Sequence, residues 1–256
     1  MYQAIAHFSY QNFERDPVTL IDCVLEEWRI NGQIIGREIG VTHHQSDTHS
    51  KFQVNLAIPE QDSLLPRWNS EEVNEMLDQA KKHGVVFEYF ELVGRDYNAV
   101  ESSNHHSADF YILYTTHLES CSSIYNGYDF CPTPLYKIKA DHDLYRSLIH
   151  WQENWQACDQ LQINGGALEQ HALAEISNYD SELSLQGRAL AQQIEEQNKI
   201  PTYYYLYRLG KDEEIEHNRR CPSCNGEWKL AEPLHDIFHF KCDKCRLISN
   251  LSWEVQ

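Results

Sequence analysis

Two closely spaced pairs of cysteines near the carboxyl end are the residues with the clearest chemistry. The pairs are C-x2-C motifs separated by seventeen residues, and their members are Cys221, Cys224, Cys242 and Cys245. Two such motifs about 15 to 20 residues apart are typical of a β-hairpin that holds one zinc ion. Four thiolates leave zinc no open position for water, so a site of this kind is structural rather than catalytic. The sequence therefore predicts one structural zinc ion.

The amino terminus and the cysteine content indicate the compartment. Residues 1–7 lack the basic stretch and the apolar run of a signal peptide, and no apolar stretch approaches the roughly 18 residues of a membrane span. We therefore expect a cytoplasmic protein. In that reducing compartment the eight cysteines are better explained as metal ligands and free thiols than as disulfides.

The chain is strongly acidic, and its charge is unevenly distributed. The formal net charge is -18, and residues 217–256 carry 6 Lys and Arg against 5 Asp and Glu, which leaves the body at -19 and this tail at +1. An acidic body repels phosphate backbones and favours solubility or a basic partner. The charge alone does not name the partner.

Strand and helix signals alternate over the first 93 residues. Residues 2–8 alternate in polarity as a half-buried strand does. Asp16 offers an N-cap, Pro17 stands at the first helical position, and Asn31-Gly32 ends that helix. The pattern then predicts strands at 34–41 and 52–58, a helix capped by Asn69 and Glu72 and stopped by Gly84, and a strand at 85–92. The order βαββαβ predicts a ferredoxin-like domain over residues 1–93.

The rest of the chain is predicted to form a mixed middle region over residues 94–210 and the zinc ribbon over 211–256. The middle region shows a strand at 110–114, helices around 144–158 and 180–197, and a packed aromatic strand at 203–205. A ribbon of about 40 residues builds little core, so we expect metal binding to supply most of its folding energy, in a core of its own. The predicted fold class is α+β.

Five segments beyond residue 120 form a recognisable set. They are PTPLY at 132–136, SLQGR at 184–188, PTYYYLYR at 201–208, RCPSC at 220–224 with Trp228, and FKCDKCRLISN at 240–250. Together they resemble an uncharacterised bacterial family of zinc-ribbon-containing proteins, over roughly residues 120 to 256. The resemblance implies zinc and suggests nucleic-acid binding. Cys121 and Cys131 depart from the family pattern, because nine residues separate them where the family carries a tight pair.

A nucleic-acid interface is one hypothesis for the ribbon. The candidate contacts are basic and aromatic side chains near the cysteines, with Phe238 and Phe240 as further stacking platforms: Arg219, Arg220, Trp228, Lys241, Lys244 and Arg246. When four thiolates and a divalent zinc are counted, the net charge of the tail is about -1. A nucleic-acid-binding surface is usually a basic patch, and this tail does not carry one. The same basic residues would equally serve to flank and solubilise the cysteine pairs.

The acidic body supports a second hypothesis. The protein would be a protein-binding adaptor or inhibitor, immunity-like or antitoxin-like, whose charge steers it to a basic or nucleic-acid-acting partner. Residues 212–214 and Glu216 form one acidic run that suits this role. An ordinary acidic surface explains the same residues.

An enzyme is the third class, and two histidine groups are its candidates. They are His43, His44, Asp47 and His49, and the group of His105, His106 and His117 near Cys121. Neither group has an established metal-ligand spacing, and no recognised catalytic motif occurs. Cys23 is predicted to be a core residue rather than a nucleophile. The sequence therefore favours a non-enzymatic binding protein without a small-molecule substrate.

Overall fold

The computed structural model describes residues 1–11, 16–45, 50–105 and 107–255. They form two compact units. The first contains Met1–Ser102, Glu119–Ser122 and Pro132–Arg146, and the second contains Ser103–Leu118, Ser123–Cys131 and Ser147–Gln256. No helix within these described ranges is long and apolar enough to span a membrane. Both helices and strands are abundant, as the α+β class requires.

The first unit holds a four-stranded antiparallel sheet covered by two helices. Its elements are β1 at Tyr2–Tyr10, α1 at Pro17–Ile30, β2 at Val41–Gln45, β3 at Ser50–Ile58, α2 at Glu71–Lys82 and β4 at Val85–Arg95. The strands lie in the order β2-β3-β1-β4, and every neighbouring pair is antiparallel. Two short 3-10 turns also occur, at Pro66–Trp68 and Leu135–Lys137.

The core of the first unit lies between the sheet and the helices α1 and α2. Asp16 caps α1 by accepting a hydrogen bond from the Val18 N–H at 3.1 Å, and Pro17 begins the helix, as predicted. Trp28 on this helix packs on the sheet: its ring lies 4.9 Å from the Phe87 ring and 5.9 Å from the Phe8 ring. Burial of such aromatic side chains stabilises the unit by several kcal/mol, roughly 1.5 to 3 for each.

Three local predictions in this unit were wrong. The strand expected at 34–41 begins only at Val41, because Gly36 takes a φ of 101° that extended strands do not use; Ile35 forms a single bridge with Ala57. The N-cap of α2 is Ser70 rather than Asn69, since Ser70 accepts from the Val73 N–H. Cys23 is exposed, because it lies off the apolar stripe of α1.

The second unit is built on a six-stranded sheet. Its strands are β5 at Tyr111–Leu113, β6 at Ile124–Asn126, β7 at Thr202–Tyr205, β8 at Lys229–Leu234, β9 at Phe238–Cys242 and β10 at Leu247–Asn250. Its helical segments are α3 at His142–Asn164, which belongs to this unit from Ser147 onwards, α4 at Glu169–Ser177, α5 at Glu182–Asn198 and α6 at Glu213–His217. The strand order is β6-β5-β7-β10-β9-β8. The aromatic strand predicted at 203–205 is confirmed as β7, whereas β6 and α4 were not predicted.

The carboxy-terminal strands continue the sheet of the middle region. β10 pairs in parallel with β7, with Leu247 opposite Tyr204, and in antiparallel fashion with β9. The ring of Phe238 on β9 lies 5.6 Å from Tyr205 and 5.9 Å from Tyr114. The separate ribbon core expected from the sequence is therefore absent from the described residues, because the small ribbon buries its apolar side chains against β7.

A glycine lets α5 approach the sheet closely. A Cβ at Gly187 would lie 2.3 Å from the Tyr204 ring and 2.7 Å from the Trp151 indole nitrogen. The Trp151 N–H donates to the Leu183 carbonyl at 3.1 Å, which fixes the indole in this position. The SLQGR segment therefore includes a position where only the absence of a side chain allows the helix to pack on β7.

Candidate metal centre

The four predicted ligand cysteines come together at one end of the ribbon strands. Cys221 and Cys224 lie in the turn before β8, Cys242 ends β9, and Cys245 lies in the turn before β10. Their sulfur atoms all lie within 4.8 Å of one another, and the Sγ atoms of Cys224 and Cys242 are 3.8 Å apart.

These distances fit a bound metal better than a disulfide. Tetrahedral zinc with Zn–S bonds of about 2.3 Å places neighbouring sulfurs about 3.8 Å apart. A disulfide would need about 2.05 Å. The four cysteines could therefore hold one metal ion.

The two cysteine knuckles, residues 221–226 and 242–246, have the same backbone conformation at one position. The residue after the second cysteine of each has a left-handed φ: 55° at Asn225 and 53° at Arg246. In the first knuckle the Asn225 N–H donates to the Cys221 carbonyl at 2.8 Å, and the Cys221 N–H donates to the Gly226 carbonyl at 3.0 Å. These turns place both thiols of a pair on the same side of the chain.

The thiols differ in their readiness to ionise. A backbone hydrogen bond from Gly226 is the main cause that lowers the pKa of Cys224 to about 7. Burial raises the pKa of Cys221, and it raises the pKa of Cys242 to about 12. Since a metal binds thiolates, it must displace protons from the buried thiols, and its affinity will depend on pH.

The second knuckle is fastened to elements that precede the ribbon. The Tyr203 hydroxyl on β7 donates to Asp243 at 2.6 Å, and the Lys241 ammonium lies 2.5 Å from the same carboxylate. Arg246 forms a two-pronged ion pair with Glu195 on α5, at 2.8 and 3.0 Å. The Arg246 guanidinium is the main cause that lowers the pKa of Glu195. Lys241 and Arg246 are thus both paired with carboxylates of the protein itself.

The first knuckle has a buried cationic anchor. The Arg219 guanidinium lies 4.2 Å from the Phe240 ring centre and donates to the Asn250 carbonyl at 2.7 Å. Its Nε lies 3.2 Å from the buried Glu216 carboxylate. Burial lowers the pKa of Arg219 to about 10, so the guanidinium stays charged at neutral pH. The Trp228 N–H donates to the Arg219 carbonyl at 3.0 Å.

The aromatic side chains proposed as stacking platforms are not accessible. Trp228 is 3% exposed, and Phe238 and Phe240 are fully buried. Among the six candidate contacts, Lys244 is exposed and has no charged partner in the described part of the chain. Arg220 is half exposed and pairs with Glu227 at 3.0 Å. The structure thus leaves two cations of this set on the surface.

The histidine groups do not form metal clusters where they are described. The His43 ring packs on Phe52 and shares a hydrogen bond with Ser50, and the His105 ring lies against Tyr128. His117 pairs with the buried Asp159 at 3.1 Å. His44 lies on β2, whereas Asp47, His49 and His106 fall outside the described residues.

Cys121 and Cys131 offer no second centre within the described chain. Cys121 is buried beside the Ser102 hydroxyl, and burial raises its pKa to about 12. Cys131 donates to the Asp129 carbonyl. Across the described ranges, the four ribbon cysteines form the one group of three or more side chains placed to hold a metal.

Three residues support the site in roles that the sequence did not indicate. Glu195, Tyr203 and Glu216 each fix a ribbon arginine or aspartate from another element. The one local signal was Asp243, whose position inside a cysteine knuckle could have prompted a search for its partner.

Comparison with known proteins places the chain among proteins of unassigned role. Three family models match in succession, each described as a Domain of unknown function: DUF8589 over residues 1–94, DUF2310 over 105–207 and DUF8594 over 210–255. An "Uncharacterized protein" of Haemophilus influenzae is 53% identical over 236 residues, covering 91% of this chain and 90% of that protein. A second from the same organism is 52% identical over 201 residues, covering 78% and 95%.

Proposed function

This chain belongs to the family that includes the two Haemophilus influenzae proteins, and from that premise we propose that it is a non-enzymatic binding protein with one structural zinc ion. The observation that carries the proposal is the convergence of four cysteine sulfurs within 4.8 Å. A site with four thiolates is coordinatively closed, so zinc would cross-link the ribbon rather than activate water.

The four cysteines would hold zinc where it stabilises the sheet. Cys242 ends β9 and Cys245 precedes β10, so the ion would clamp the turn that aligns these two strands. β10 in turn pairs with β7. The proposed role of zinc is therefore to keep the carboxy-terminal half of the six-stranded sheet in register.

We also propose a ferredoxin-like arrangement for the amino-terminal domain. The element order βαββαβ and the antiparallel strand order β2-β3-β1-β4 support it. A shared fold does not indicate a shared activity, so this assignment adds no catalytic role.

A protein is the better supported partner, and a basic one. The net charge of -18 favours a cationic surface and repels a phosphate backbone. The buried Trp228, Phe238 and Phe240 offer no stacking platform, and Lys241 and Arg246 are held by Asp243 and Glu195. Nucleic-acid binding would have to rest on Arg220 and Lys244, so the adaptor or inhibitor role fits the surface better.

Metal analysis tests the first part of the proposal. We expect one zinc per chain by plasma mass spectrometry in protein purified without a metal-affinity tag, and none in Cys242→Ser. Cys23→Ser is the matched control, because Cys23 is exposed and distant from the cluster in sequence. A zinc-free wild type, or zinc retained in Cys242→Ser, would refute the site.

A nuclease-controlled pull-down tests the partner class. A basic protein recovered at the same stoichiometry with and without nuclease, and lost when salt screens the charges, supports the adaptor role. Enriched RNA or DNA that disappears in Arg220→Glu with Lys244→Glu would replace it with the nucleic-acid role.

A further inference from the structure

A groove in the second unit lies beside the first cysteine knuckle. Its volume is about 660 Å³, and its lining comes from the end of α4 with the turn that follows it, from residues 206–208, and from Ile215, Arg219, Arg220, Pro222 and Trp228. Pockets that bind small molecules have volumes of about 300 to 1,000 Å³. We call it the arginine groove, because Arg208, Arg219 and Arg220 line it. The nucleic-acid hypothesis used Arg219 and Arg220 as phosphate contacts, but no function considered above uses the groove as a pocket for a small ligand.

Two of these arginines share a single buried carboxylate. The Glu216 side chain is 1% exposed, and its Oε1 accepts from the Arg208 Nε at 2.7 Å. The Arg219 Nε lies 3.2 Å from its Oε2. Two guanidinium groups against one carboxylate leave one unit of positive charge uncompensated within this triad. The Arg208 side chain is 33% exposed, so solvent, or an anion in the groove, can reach this positive charge.

The triad is held in place without a ligand. Arg219 is fixed by the Asn250 carbonyl and by the Phe240 ring. A Cβ at Gly210 would lie 2.3 Å from the Glu216 Oε1 and 3.1 Å from an Arg208 terminal nitrogen, so the glycine leaves room for the pair. Guanidinium groups that are already oriented lose little freedom on binding and match the geometry of oxyanions.

Arg220 adds a cation that a ligand can recruit. It pairs at 3.0 Å with Glu227, whose side chain is 85% exposed, while that of Arg220 is 52% exposed. Ion pairs this exposed contribute little free energy, so an incoming anion can displace the carboxylate at small cost.

Acidic residues on the helical side of the groove restrict the ligand. Glu175 and Asp180 line the groove as well, and Glu175 accepts from the Leu183 N–H at 3.1 Å. A polyphosphate crossing the groove would be repelled by these carboxylates. A molecule with one anionic end and a cationic other end satisfies both sides.

We propose that the arginine groove binds a small zwitterion, whose single carboxylate or phosphate group is held by Arg208, Arg219 and Arg220. The groove lining includes none of the four cysteines, so the site is separate from the candidate metal centre.

Arginine side-chain NMR tests the proposal on the full-length zinc-loaded protein. The probes are phosphoethanolamine and β-alanine, which carry an ammonium at one end and a phosphate or a carboxylate at the other; ethanolamine lacks the anion. We expect saturable shifts of the Nε–Hε signals of Arg208, Arg219 and Arg220 at constant ionic strength. Arg246, paired with Glu195, is the internal control and should not shift. If only phosphoethanolamine saturates, the anionic group is a phosphate; if only β-alanine saturates, it is a carboxylate.

Two variants that lose the same charge distinguish binding in the groove from a general effect of the protein's net charge. Arg220→Gln should weaken binding by roughly tenfold, the loss expected for one charge-assisted contact. Lys244→Gln removes the same charge from the residue before a ligand cysteine of the other knuckle, and it should bind like wild type.

Arg208→Gln is the second test, with folding checked by its amide spectrum. The proposal is overturned if neither probe saturates, or if Lys244→Gln weakens binding as much as Arg220→Gln. Zinc content measured on the same samples keeps this outcome separate from loss of the metal.

Discussion

Tyr203 and Asp243 are joined by a hydrogen bond of 2.6 Å, in which a hydroxyl on β7 donates to a carboxylate inside the second cysteine knuckle. The two residues are 40 positions apart in the chain. Because β10 pairs in parallel with β7, the knuckle that precedes β10 is brought beside Tyr203. The candidate metal centre is therefore part of the second unit's sheet rather than an appendage to it.

Loss of a ligand cysteine should affect more than the ribbon. For Cys242→Ser we expect loss of the metal and a fall in stability of several kcal/mol, since structural zinc binds finger peptides with about 10 to 16 kcal/mol. β7 would lose a neighbour, so the near-UV circular dichroism of the protein, to which the buried Tyr203–Tyr205 contribute, should also fall. Cys23→Ser should leave both unchanged. An intact near-UV signal in metal-free Cys242→Ser would show that the sheet persists without the ribbon.

Removal of the Tyr203 hydroxyl should loosen the second knuckle. Tyr203→Phe deletes the donor to Asp243, and one such hydrogen bond contributes about 0.5 to 1.5 kcal/mol, more when the acceptor is charged. We expect a lower urea midpoint and faster zinc transfer to a chelator. Tyr128→Phe is the control, because Tyr128 is 68% exposed. Equal effects of the two substitutions would contradict the anchoring role.

The ion pair between Glu195 and Arg246 should make stability depend on pH. The Arg246 guanidinium lowers the pKa of Glu195 from 4.5 in the folded protein, so the unfolded chain binds a proton first as the pH falls. The contribution is therefore present above pH 4.5 and is lost as the pH falls through the lowered value. Both side chains are about a third exposed, so it amounts to about 1 kcal/mol or less.

Urea unfolding of the wild type and of Glu195→Gln at several pH values measures this contribution to the free energy of unfolding. The two proteins should differ most at pH 7 and converge as the pH falls below 4.5 and through the lowered pKa of Glu195. Taking the difference removes any effect of acid on the candidate metal centre that is common to both proteins. A difference that stays constant over this range would show that the carboxylate is not the source of the stability.

A side chain at Gly187 should force α5 away from β7. Gly187→Ala places a Cβ 2.3 Å from the Tyr204 ring, and overpacking of this kind costs about 1 to 3 kcal/mol. Over most of this range the cost exceeds the helix propensity gained, which is about 1 kcal/mol. Ala189→Ser, on the exposed side of the same helix, should change the thermal midpoint little. A more stable Gly187→Ala would contradict the close packing.

Local signals predicted several elements because their physical cause is local. The cap at Asp16 and the left-handed Gly32 act within one turn of α1, and the structure confirms both. The second strand was misplaced because β2 is an edge strand with polar side chains, so no apolar alternation marked it. α4 was missed because its short apolar stripe, Ala172 and Ile176, has too few members to stand out.

The spacing of the cysteines by itself determined the candidate metal centre, because two C-x2-C turns on one hairpin can meet only at its end. The fate of the nearby cations and aromatics was decided by the tertiary structure alone. Arg246 meets Glu195 from 51 positions away, and Arg219 lies over a ring on β9. Charge pairing and burial depend on which strands are neighbours in the sheet. That order comes from packing of the whole second unit, and no spacing along the chain encodes it.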